Sequence, residues 1–389
     1  MFSDRTNWKL ARNRLTEALD EVRSSGARVL DLTISNPTRI GLRYDEPPIL
    51  QSLASPQSMD YDPQPKGLLT AREAVAGYYR HEHDVRGFDP EQLVLTTGTS
   101  EGYSFVFRLL CNPGDALLVP KPSYPLFEFL ADLQDVKLVP YPLIYDHGWQ
   151  MDFPSLQKAV SARTRGVVVV HPNNPTGSFV HPHERESLNL FCREHGIALI
   201  ADEVFLDYAH DRGDQQSFAS NRDVLTFTLS GVSKISALPQ MKVAWIATSG
   251  PAAEVEQAQA RLEVIADTYL SMNAPIQWAT PALLDQRKSI QRQLLDRVLG
   301  NLAELDRQLA AQKTCRRLQV EGGWYAVVRV PVTQTDEELA VDLLRRKSVL
   351  VHPGHFYDFP SDGYLVVSLI AVQNDFSEGI KRLLEGVGE

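Results

Sequence analysis

The sequence predicts an α/β protein with a mostly parallel, doubly wound sheet and a smaller α+β domain. The first observation is an alternation of short apolar stretches with helical ones between about residues 93 and 248, which is typical of successive βα units. The second is the stretch Val167–Val170, whose apolar, β-branched residues indicate a strand covered on both faces. Right-handed crossovers then place helices on both sides of the sheet.

Three elements are predicted before the sheet begins. Apolar residues at helical spacing predict amphipathic helices over residues 6–24 and about 68–83. Val29–Ile34 predicts a short strand. Two loops rich in turn-forming residues, Ser35-Asn36-Pro37-Thr38 and Tyr61–Gly67, separate these elements.

The strands of the sheet then follow in order along the chain. We expect them at Leu93–Leu95, Ala116–Val119, Lys137–Val139, Val167–Val170, Ile197–Ala201, Thr226–Leu229 and Val243–Thr248. A helix is expected from Gly98 to about Leu110. Because these stretches alternate with helical segments, they form one domain, which we predict over residues 45–275.

The remaining chain changes character. Residues 251–312 have a helical pattern, and short strands at Tyr325–Val330, Val349–Val351 and Tyr364–Leu369 mix with helices after them. This mixture predicts a small α+β domain over residues 276–389, to which an N-terminal segment, residues 1–44, contributes.

Bulk composition excludes several classes of protein. The net charge of −10 without a basic stripe argues against nucleic acid or an anionic membrane as a partner. Three widely spaced cysteines argue against a disulfide framework or a zinc cluster and favour a reducing compartment. The polar N-terminus lacks the apolar region of a signal peptide, and the apolar runs are too short to cross a bilayer. We therefore expect a cytoplasmic protein without a metal site.

The strand Thr226–Leu229 is followed by a small polar turn and two lysines. The turn reads Ser230-Gly231-Val232-Ser233, and Lys234 and Lys242 come after it. A lysine just beyond a buried strand can be partly desolvated, which lowers its pKa and makes the amine a usable nucleophile. A lone lysine in such a place is more often a solvated surface residue, so this interpretation depends on the other strand ends.

Polar residues also follow the other predicted strands, where ligands bind in open α/β sheets. Gly98-Thr99-Ser100, at a helix start, offers backbone N–H groups to a phosphate, although Thr or Ser there can equally be a simple helix cap. Lys242 and the hydroxyl of Ser230 or Ser233 could add donors to the same phosphate.

Three further strand-end residues have two interpretations each. Asp202 follows an apolar strand, and a buried carboxylate needs a donor partner, which can be a ligand, a helix end or a core cation. Asn174 either shapes a turn or donates to a ligand, and Asn174–Pro175 is a candidate cis peptide. Tyr124 either packs in the core or stacks on a planar ring. With an amine at Lys234, these groups describe a pocket for an aromatic phosphorylated aldehyde, pyridoxal 5'-phosphate.

As an ordered set, these motifs resemble the class I/II aminotransferases, which are fold-type-I pyridoxal-phosphate enzymes. The motifs that carry the resemblance are Tyr61…Gly67, Gly98-Thr99-Ser100, Pro122-Ser123-Tyr124-Pro125, Asn173-Asn174-Pro175-Thr176-Gly177, Ala201-Asp202-Glu203-Val204 and Ser233-Lys234…Lys242. The resemblance runs from Ser35 to the last strand. It implies a reaction between an amino acid and a 2-oxo acid in a ping-pong order.

The resemblance also implies roles for individual residues. Lys234 would form the Schiff base, Asp202 would pair with the pyridinium nitrogen, Asn174 would contact the ring hydroxyl and Tyr124 would stack on the ring. The phosphate would be bound by Thr99, Ser100, Ser230 and Lys242, with Gly98 and Ser233 in the same cofactor site. Tyr61 would reach the phosphate of the neighbouring subunit, which implies a homodimer with composite active sites.

The sequence departs from the family pattern at three positions. Phe205 stands where a tyrosine is usual, and Lys242 stands where arginine is common at the phosphate. In the last strand, Val366 occupies the place of the arginine that grips the substrate α-carboxylate as a bidentate pair.

Arginines or histidines elsewhere could replace this grip. Arg39 and Arg43 follow the Ser35–Thr38 loop, and His352 and His355 flank Pro353-Gly354. The two arginines can equally be solvated loop residues, and the two histidines are the weaker candidates.

Two other functions remain open at this point. Because the usual arginine is missing, one alternative is a β-lyase or decarboxylase that uses the same cofactor and the same first steps. A regulator with an aminotransferase-like sensing domain would need a basic DNA-binding module, and a first strand by about residue 29 leaves no room for one.

Overall fold

The structure is a computed structural model that describes residues 1–8, 10–124, 127–211 and 215–388. Its helices are α1 Arg14–Ser24, α2 Glu46–Leu53, α3 Leu69–Glu82, α4 Thr99–Leu110, α5 Phe127–Asp132, α6 Phe153–Ala159, α7 Pro182–His195, α8 Val232–Ile235, α9 Ala252–Tyr269, α10 Ala274–Asp285, α11 Arg287–Ala310, α12 Asp336–Lys347 and α13 Gln373–Gly388. Its strands are β1 Leu30–Asp31, β2 Leu93–Thr96, β3 Ala116–Lys121, β4 Lys137–Tyr145, β5 Trp149–Met151, β6 Thr164–Val170, β7 Ala198–Asp202, β8 Thr226–Gly231, β9 Ala244–Ser249, β10 Arg316–Arg317, β11 Tyr325–Arg329, β12 Val349–Leu350, β13 His352–Pro353 and β14 Tyr364–Ser368.

Within the described residues, the large sheet has the strand order β2-β9-β8-β7-β6-β3-β4-β5. Strands β3, β4, β6, β7 and β8 run parallel, β9 is antiparallel to both β2 and β8, and β5 is antiparallel to β4. The predicted mostly parallel α/β sheet is therefore confirmed, and each predicted strand overlaps an observed one.

Both faces of this sheet are covered, as the β-branched run in β6 predicts. Val168 and Val170 belong to one hydrophobic cluster, with α4 and α9. Val167 and Val169 point the other way into a cluster with α7. Because successive side chains of a strand alternate between faces, both faces of β6 are buried. Polar residues near β6 can therefore reach a ligand only beyond the end of the strand.

The smaller unit has an antiparallel sheet in the order β10-β11-β14-β13. The N-terminal strand β1 pairs in parallel with β12, and Leu15, Val22 and Leu30 share a hydrophobic core with helices α11, α12 and α13. The start of the chain thus packs with its end, and the Ser35–Thr38 loop that follows β1 lies beside the small sheet.

The first helix is shorter than the 6–24 range that the sequence predicts. It begins at Arg14 because the Asn13 side chain accepts a hydrogen bond from the Thr16 backbone N–H, which is a strong helix start. Trp8 lies apart from the helix, and its indole N–H donates to Asp132 at 2.9 Å. Among the described helices, none is both long and apolar enough to traverse a bilayer.

Candidate active site

A cavity of about 390 Å³ opens between the carboxyl ends of the sheet strands and the small sheet. The large unit contributes Thr99, Ser100, Tyr124, Phe127, Val170, Asn174, Asp202, Val204, Phe205, Ser233 and Lys234, and the small unit with its N-terminal segment contributes Ser35, Tyr325, His352, Phe356 and Tyr357. The structure therefore brings most of the residues predicted from separate strand ends to one place. Pro125, in the predicted motif around Tyr124, lies outside the described residues.

Lys234 lies on the short helix α8 directly after β8, and its surroundings are apolar. Its amine lies 5.0 Å from the centre of the Trp324 ring and 5.5 Å from that of Phe205. The Tyr208 hydroxyl donates to the Lys234 carbonyl at 2.7 Å, which fixes the backbone. Burial lowers the pKa of Lys234 to about 8, with Asp202 opposing the shift. The amine is thus far closer to its nucleophilic, neutral form than a solvated lysine.

Asp202 ends strand β7 and faces the same cavity. The Tyr103 hydroxyl donates to its carboxylate at 3.0 Å and the Val204 N–H donates at 3.1 Å. Burial raises the pKa of Asp202 to about 6, against the effect of these two donors and of Lys234. A carboxylate in this state favours a cationic partner.

Tyr103 is a site residue that the sequence analysis missed. It lies one helical turn after Thr99 on α4, so residues at this spacing share a face. This spacing could have identified Tyr103 from the sequence. Thr99 lies at the expected phosphate site, and a tyrosine on the same face of α4 can reach the end of a neighbouring strand.

The N-terminus of α4 forms an open anion seat. Gly98 is the cap residue and makes no side-chain cap hydrogen bond, so the alternative of a simple Thr or Ser cap is wrong here. A Cβ placed on Gly98 would lie 3.4 Å from the Lys242 amine. Free helical N–H groups and an ammonium group thus meet at one point, an arrangement that favours a phosphate.

Ser230 and Ser233, both predicted for this seat, occupy different positions. Ser233 lines the cavity. Ser230 is buried, and its hydroxyl donates to the Glu203 carbonyl over a long 3.4 Å. Ser230 lies behind the cavity wall in this chain, and its role at a phosphate stays a prediction.

Asn174 and Tyr124 line the cavity on either side of the strand ends. The Asn174–Pro175 peptide is cis, which confirms the prediction from the sequence. The Asn174 amide oxygen is buried without a partner among the described residues, and rotation of the amide can present either its oxygen or its nitrogen to a ligand. Tyr124 keeps 42% of its surface exposed, which leaves its ring free to stack.

The small unit forms the opposite wall. His352 Nδ1 lies 2.9 Å from the Tyr357 hydroxyl, and Ser35 and Tyr325 line the same wall. His352 pairs across the sheet with Val366, which is 1% exposed. Among the residues that line this cavity and are described, none is an arginine.

The two arginines predicted as replacements lie elsewhere. Arg39 and Arg43 are exposed and outside the cavity lining. The backbone of Arg43 exchanges two hydrogen bonds of 2.9 Å with the Gln293 side chain. Neither guanidinium of this chain reaches the pocket, so the hypothesis that they grip a carboxylate is not supported within one subunit.

Tyr61 also lies outside this cavity. It is 85% exposed and lines a second cavity, again of about 390 Å³, together with the segment that joins α9 and α10. Tyr61 does not contact the candidate site of its own chain, and its predicted contact with the phosphate of a neighbouring subunit stays a prediction.

The residues present fit pyridoxal 5'-phosphate. The free helix start beside Lys242 suits its phosphate, Asp202 suits a protonated ring nitrogen, and the unpartnered amide of Asn174 suits a ring oxygen. Lys234 stands in the same cavity with a lowered pKa. Each polar group of the cofactor thus has a complementary group, and the aldehyde has an amine.

Comparison with known proteins agrees with this chemistry. The family model described as "Aminotransferase class I and II" matches residues 49–374. Alanine aminotransferase of Mycobacterium tuberculosis is 29% identical over 375 residues, which cover 92% of this chain and 86% of that protein. Glutamate-pyruvate aminotransferase AlaA of Haemophilus influenzae is 27% identical over 377 residues, covering 94% and 92%.

Solved structures show the same fold. The alanine aminotransferase of Pyrococcus furiosus superposes with a TM-score of 0.91 over the whole of both chains, at 22% identity. An aminotransferase of Escherichia coli superposes with a TM-score of 0.89, at 23% identity, over 100% of this chain and 98% of that one.

Proposed function

The chain belongs to the class I and II aminotransferases, and on that premise we propose that it transfers the amino group of neutral amino acids with Lys234 as its catalytic residue. The family model and the relatives named aminotransferases support transamination between an amino acid and a 2-oxo acid, with pyridoxal phosphate as the cofactor of the family. Family membership favours this reaction over the β-lyase or decarboxylase alternative. The observation that carries the proposal is the desolvated amine of Lys234 in one cavity with Asp202 and the open start of α4.

The cofactor, when bound, supplies an electron sink for the carbanion at the substrate carbon. Lys234 would hold the cofactor through its amine, whose lowered pKa suits it to an aldehyde carbon. The released Lys234 amine accepts the proton of the substrate carbon as a general base and later donates it as a general acid. Asp202 would hold a proton on the ring nitrogen of the cofactor, and the Tyr103 hydroxyl donates to the Asp202 carboxylate at 3.0 Å.

The other site residues position the cofactor. The N–H groups and hydroxyls of Thr99 and Ser100, next to Gly98, hold the phosphate together with Lys242, with Ser233 on the same wall and Ser230 behind it. Asn174 binds the ring oxygen and Tyr124 packs on the ring. Phe205 and Trp324 form an apolar wall around the Lys234 amine, which keeps its pKa low.

Neutral side chains are proposed for the substrate because of the composition of the wall. Apart from Lys234 and His352, the described residues that line the cavity carry no side chain that can be cationic, and several are apolar or aromatic, among them Phe127, Val204 and Phe356. A second carboxylate would therefore be buried without a charged partner, which is costly. The similar protein of M. tuberculosis is named an alanine aminotransferase, which agrees with a neutral substrate, whereas that of H. influenzae is named for glutamate and pyruvate, and glutamate carries a second carboxylate.

A panel of amino acids tests the reaction and the substrate class. Neutral amino acids such as L-alanine and L-leucine are expected to convert the bound cofactor to its amino form, followed by the change in its visible absorbance, and to do so faster than L-aspartate. Pyruvate should restore the original spectrum. Release of ammonia without accumulation of the amino form would contradict transamination and support a lyase.

Lys242→Ala is expected to weaken cofactor binding about 10- to 100-fold, the effect of losing a charge-assisted contact. The physical reason is the position of its amine over Gly98 at the start of α4. Equilibrium dialysis of the cofactor measures the change, and Lys158→Ala, on the exposed side of α6, is the control. Unchanged affinity in Lys242→Ala would remove Lys242 from the phosphate site.

A homodimer with composite sites is also proposed. Tyr61, Met59 and Leu50 are 85%, 88% and 61% exposed, and a second copy of the chain would remove such large apolar side chains from water. Light scattering after size exclusion is expected to give twice the mass of the chain. Tyr61→Phe should keep the dimer, because the ring remains, and weaken cofactor binding about tenfold, because a hydroxyl donor to the partner's phosphate is lost. A monomer at micromolar concentration, or a Tyr61→Phe variant with unchanged affinity, contradicts the composite site.

The domain division into residues 1–44, 45–275 and 276–389 remains a proposal. Packing of Ile276 and Leu283 of α10 into one cluster with α3 favours moving the second boundary to about residue 286. A cytoplasmic location is likewise proposed, supported by Cys111, Cys192 and Cys315, which form no disulfide in the structure.

A further inference from the structure

The small sheet presents one face to the cavity, and its register defines which residues lie on that face. Val327 of β11 pairs with Val366 of β14, and Val366 pairs with His352 of β13. Directly paired residues of antiparallel strands lie on the same face, as do residues two positions apart. Tyr325, Val366 and His352 therefore share a face, and Tyr325 and His352 reach the cavity.

An amino acid that reacts at Lys234 must place its carboxylate within reach of the cavity wall. Standard bond lengths put the carboxylate oxygens within about 4 Å of the amine nitrogen. The large-unit donors Thr99, Ser100 and Asn174 are assigned to the cofactor. The donors that remain for the carboxylate lie on the wall formed by the small unit, and they are Ser35, Tyr325, His352 and Tyr357.

The histidine on this wall is held in a defined way. The Tyr357 hydroxyl lies 2.9 Å from His352 Nδ1. In the tautomer in which the phenol donates to Nδ1, the neutral ring carries its proton on Nε2. Among the described residues none pairs with Nε2, so this N–H is available to a ligand in the cavity.

Burial and one nearby charge determine the protonation state of this histidine. Burial lowers the pKa of His352, and Asp31 is the charged group that opposes this shift. The ring is therefore neutral before a ligand arrives.

We propose that His352, positioned by Tyr357, and the hydroxyl of Tyr325 bind the α-carboxylate of the substrate, in place of a guanidinium at Val366. The proposal rests on the proposed transamination and names its substrate-binding residues. These residues bind the carboxylate of both the amino acid and the 2-oxo acid, since each enters the same cavity. The donors of this site are neutral, and the carbonyl oxygen of an amino amide also accepts hydrogen bonds. The difference in affinity between an amino acid and its amide is therefore smaller here than it would be opposite a guanidinium.

The experiment compares L-alanine, L-leucine and L-phenylalanine with their amides as donors in the half-reaction. In the holoenzyme, the change in cofactor absorbance gives the rate and the half-saturation concentration. His352→Phe is expected to raise the half-saturation concentration for the acids about 10- to 100-fold, the loss of a hydrogen bond to a charged group. The value for the amides should rise less, about two- to tenfold, the loss of a hydrogen bond between neutral groups.

Tyr325→Phe removes a single hydroxyl and is expected to give the same selective loss on a smaller scale, about three- to tenfold for the acids. Tyr325→Phe also tests the proposal if the His352→Phe variant does not fold. His355→Phe is the matched control, because His355 is exposed and outside the cavity lining, and it should leave both donor classes unchanged.

Equal losses for acids and amides, or no loss in either variant, would overturn the carboxylate site. Failure of the proposed function has a different signature, since the wild-type enzyme would then convert its bound cofactor with none of the six donors.

Discussion

Replacing Lys234 by alanine is expected to remove both the covalent attachment of the cofactor and turnover, with activity falling at least about 10⁴-fold. The reason is that one amine performs two tasks, attachment and proton transfer. Burial beside Trp324 and Phe205 lowers its pKa to about 8, and alanine leaves no titratable group in its place. Borohydride reduction followed by mass spectrometry reports the covalent link, and visible absorbance reports the bound cofactor.

Lys242→Ala is the matched control for this prediction. Lys242 lies over the start of α4, at the phosphate end of the site, so its loss should weaken binding without preventing covalent attachment at a saturating cofactor concentration. A Lys234→Ala protein that still carries a reducible covalent cofactor would show that another amine performs this chemistry.

The part of this site that the sequence predicts is the part made by strand ends. Lys234, Asp202 and Asn174 each follow an apolar run that can only be a buried strand, and parallel strands bring their carboxyl ends to one edge. Their meeting in one cavity was therefore determined by local pattern and by the general geometry of α/β sheets.

The other part depends on contacts between distant elements, for which the sequence has no periodic signal. His352 reaches the cavity because β13 pairs with β14 and the small sheet lies over the strand ends of the large one. Its hydrogen bond to Tyr357 depends on the turn after β13. Arg39 and Arg43 were the stronger candidates from the sequence, because a guanidinium suits a carboxylate. The position of a loop arginine depends on the contacts of its backbone, however, and the backbone of Arg43 is hydrogen-bonded to Gln293, outside the cavity.

Asp202→Asn is expected to lower kcat about 10³-fold while the cofactor remains covalently bound to Lys234. Asparagine keeps the shape of the side chain and can still accept from the Val204 N–H. It has no negative charge, so it cannot hold a proton on the cofactor ring, and the carbanion at the substrate carbon loses its sink. The two variants thus separate the functions: Lys234→Ala loses the covalent link, and Asp202→Asn retains it but reacts slowly. Single-turnover absorbance measurements distinguish them, and loss of bound cofactor in Asp202→Asn would contradict this division.

Tyr103→Phe tests whether the hydroxyl at 3.0 Å tunes that carboxylate. The pKa of Asp202 is already raised to about 6 by burial, and the Tyr103 donor is one of the groups that lower it. Without the hydroxyl the pKa rises further, so a larger fraction of Asp202 is protonated at a given acidic pH. Because the ionised carboxylate is the active form, the acidic limb of the kcat profile should move to higher pH, with a loss of activity on that limb and little change well above it. A uniform loss across pH would instead mean that Tyr103 acts by packing, since removal of packing does not depend on the protonation of Asp202.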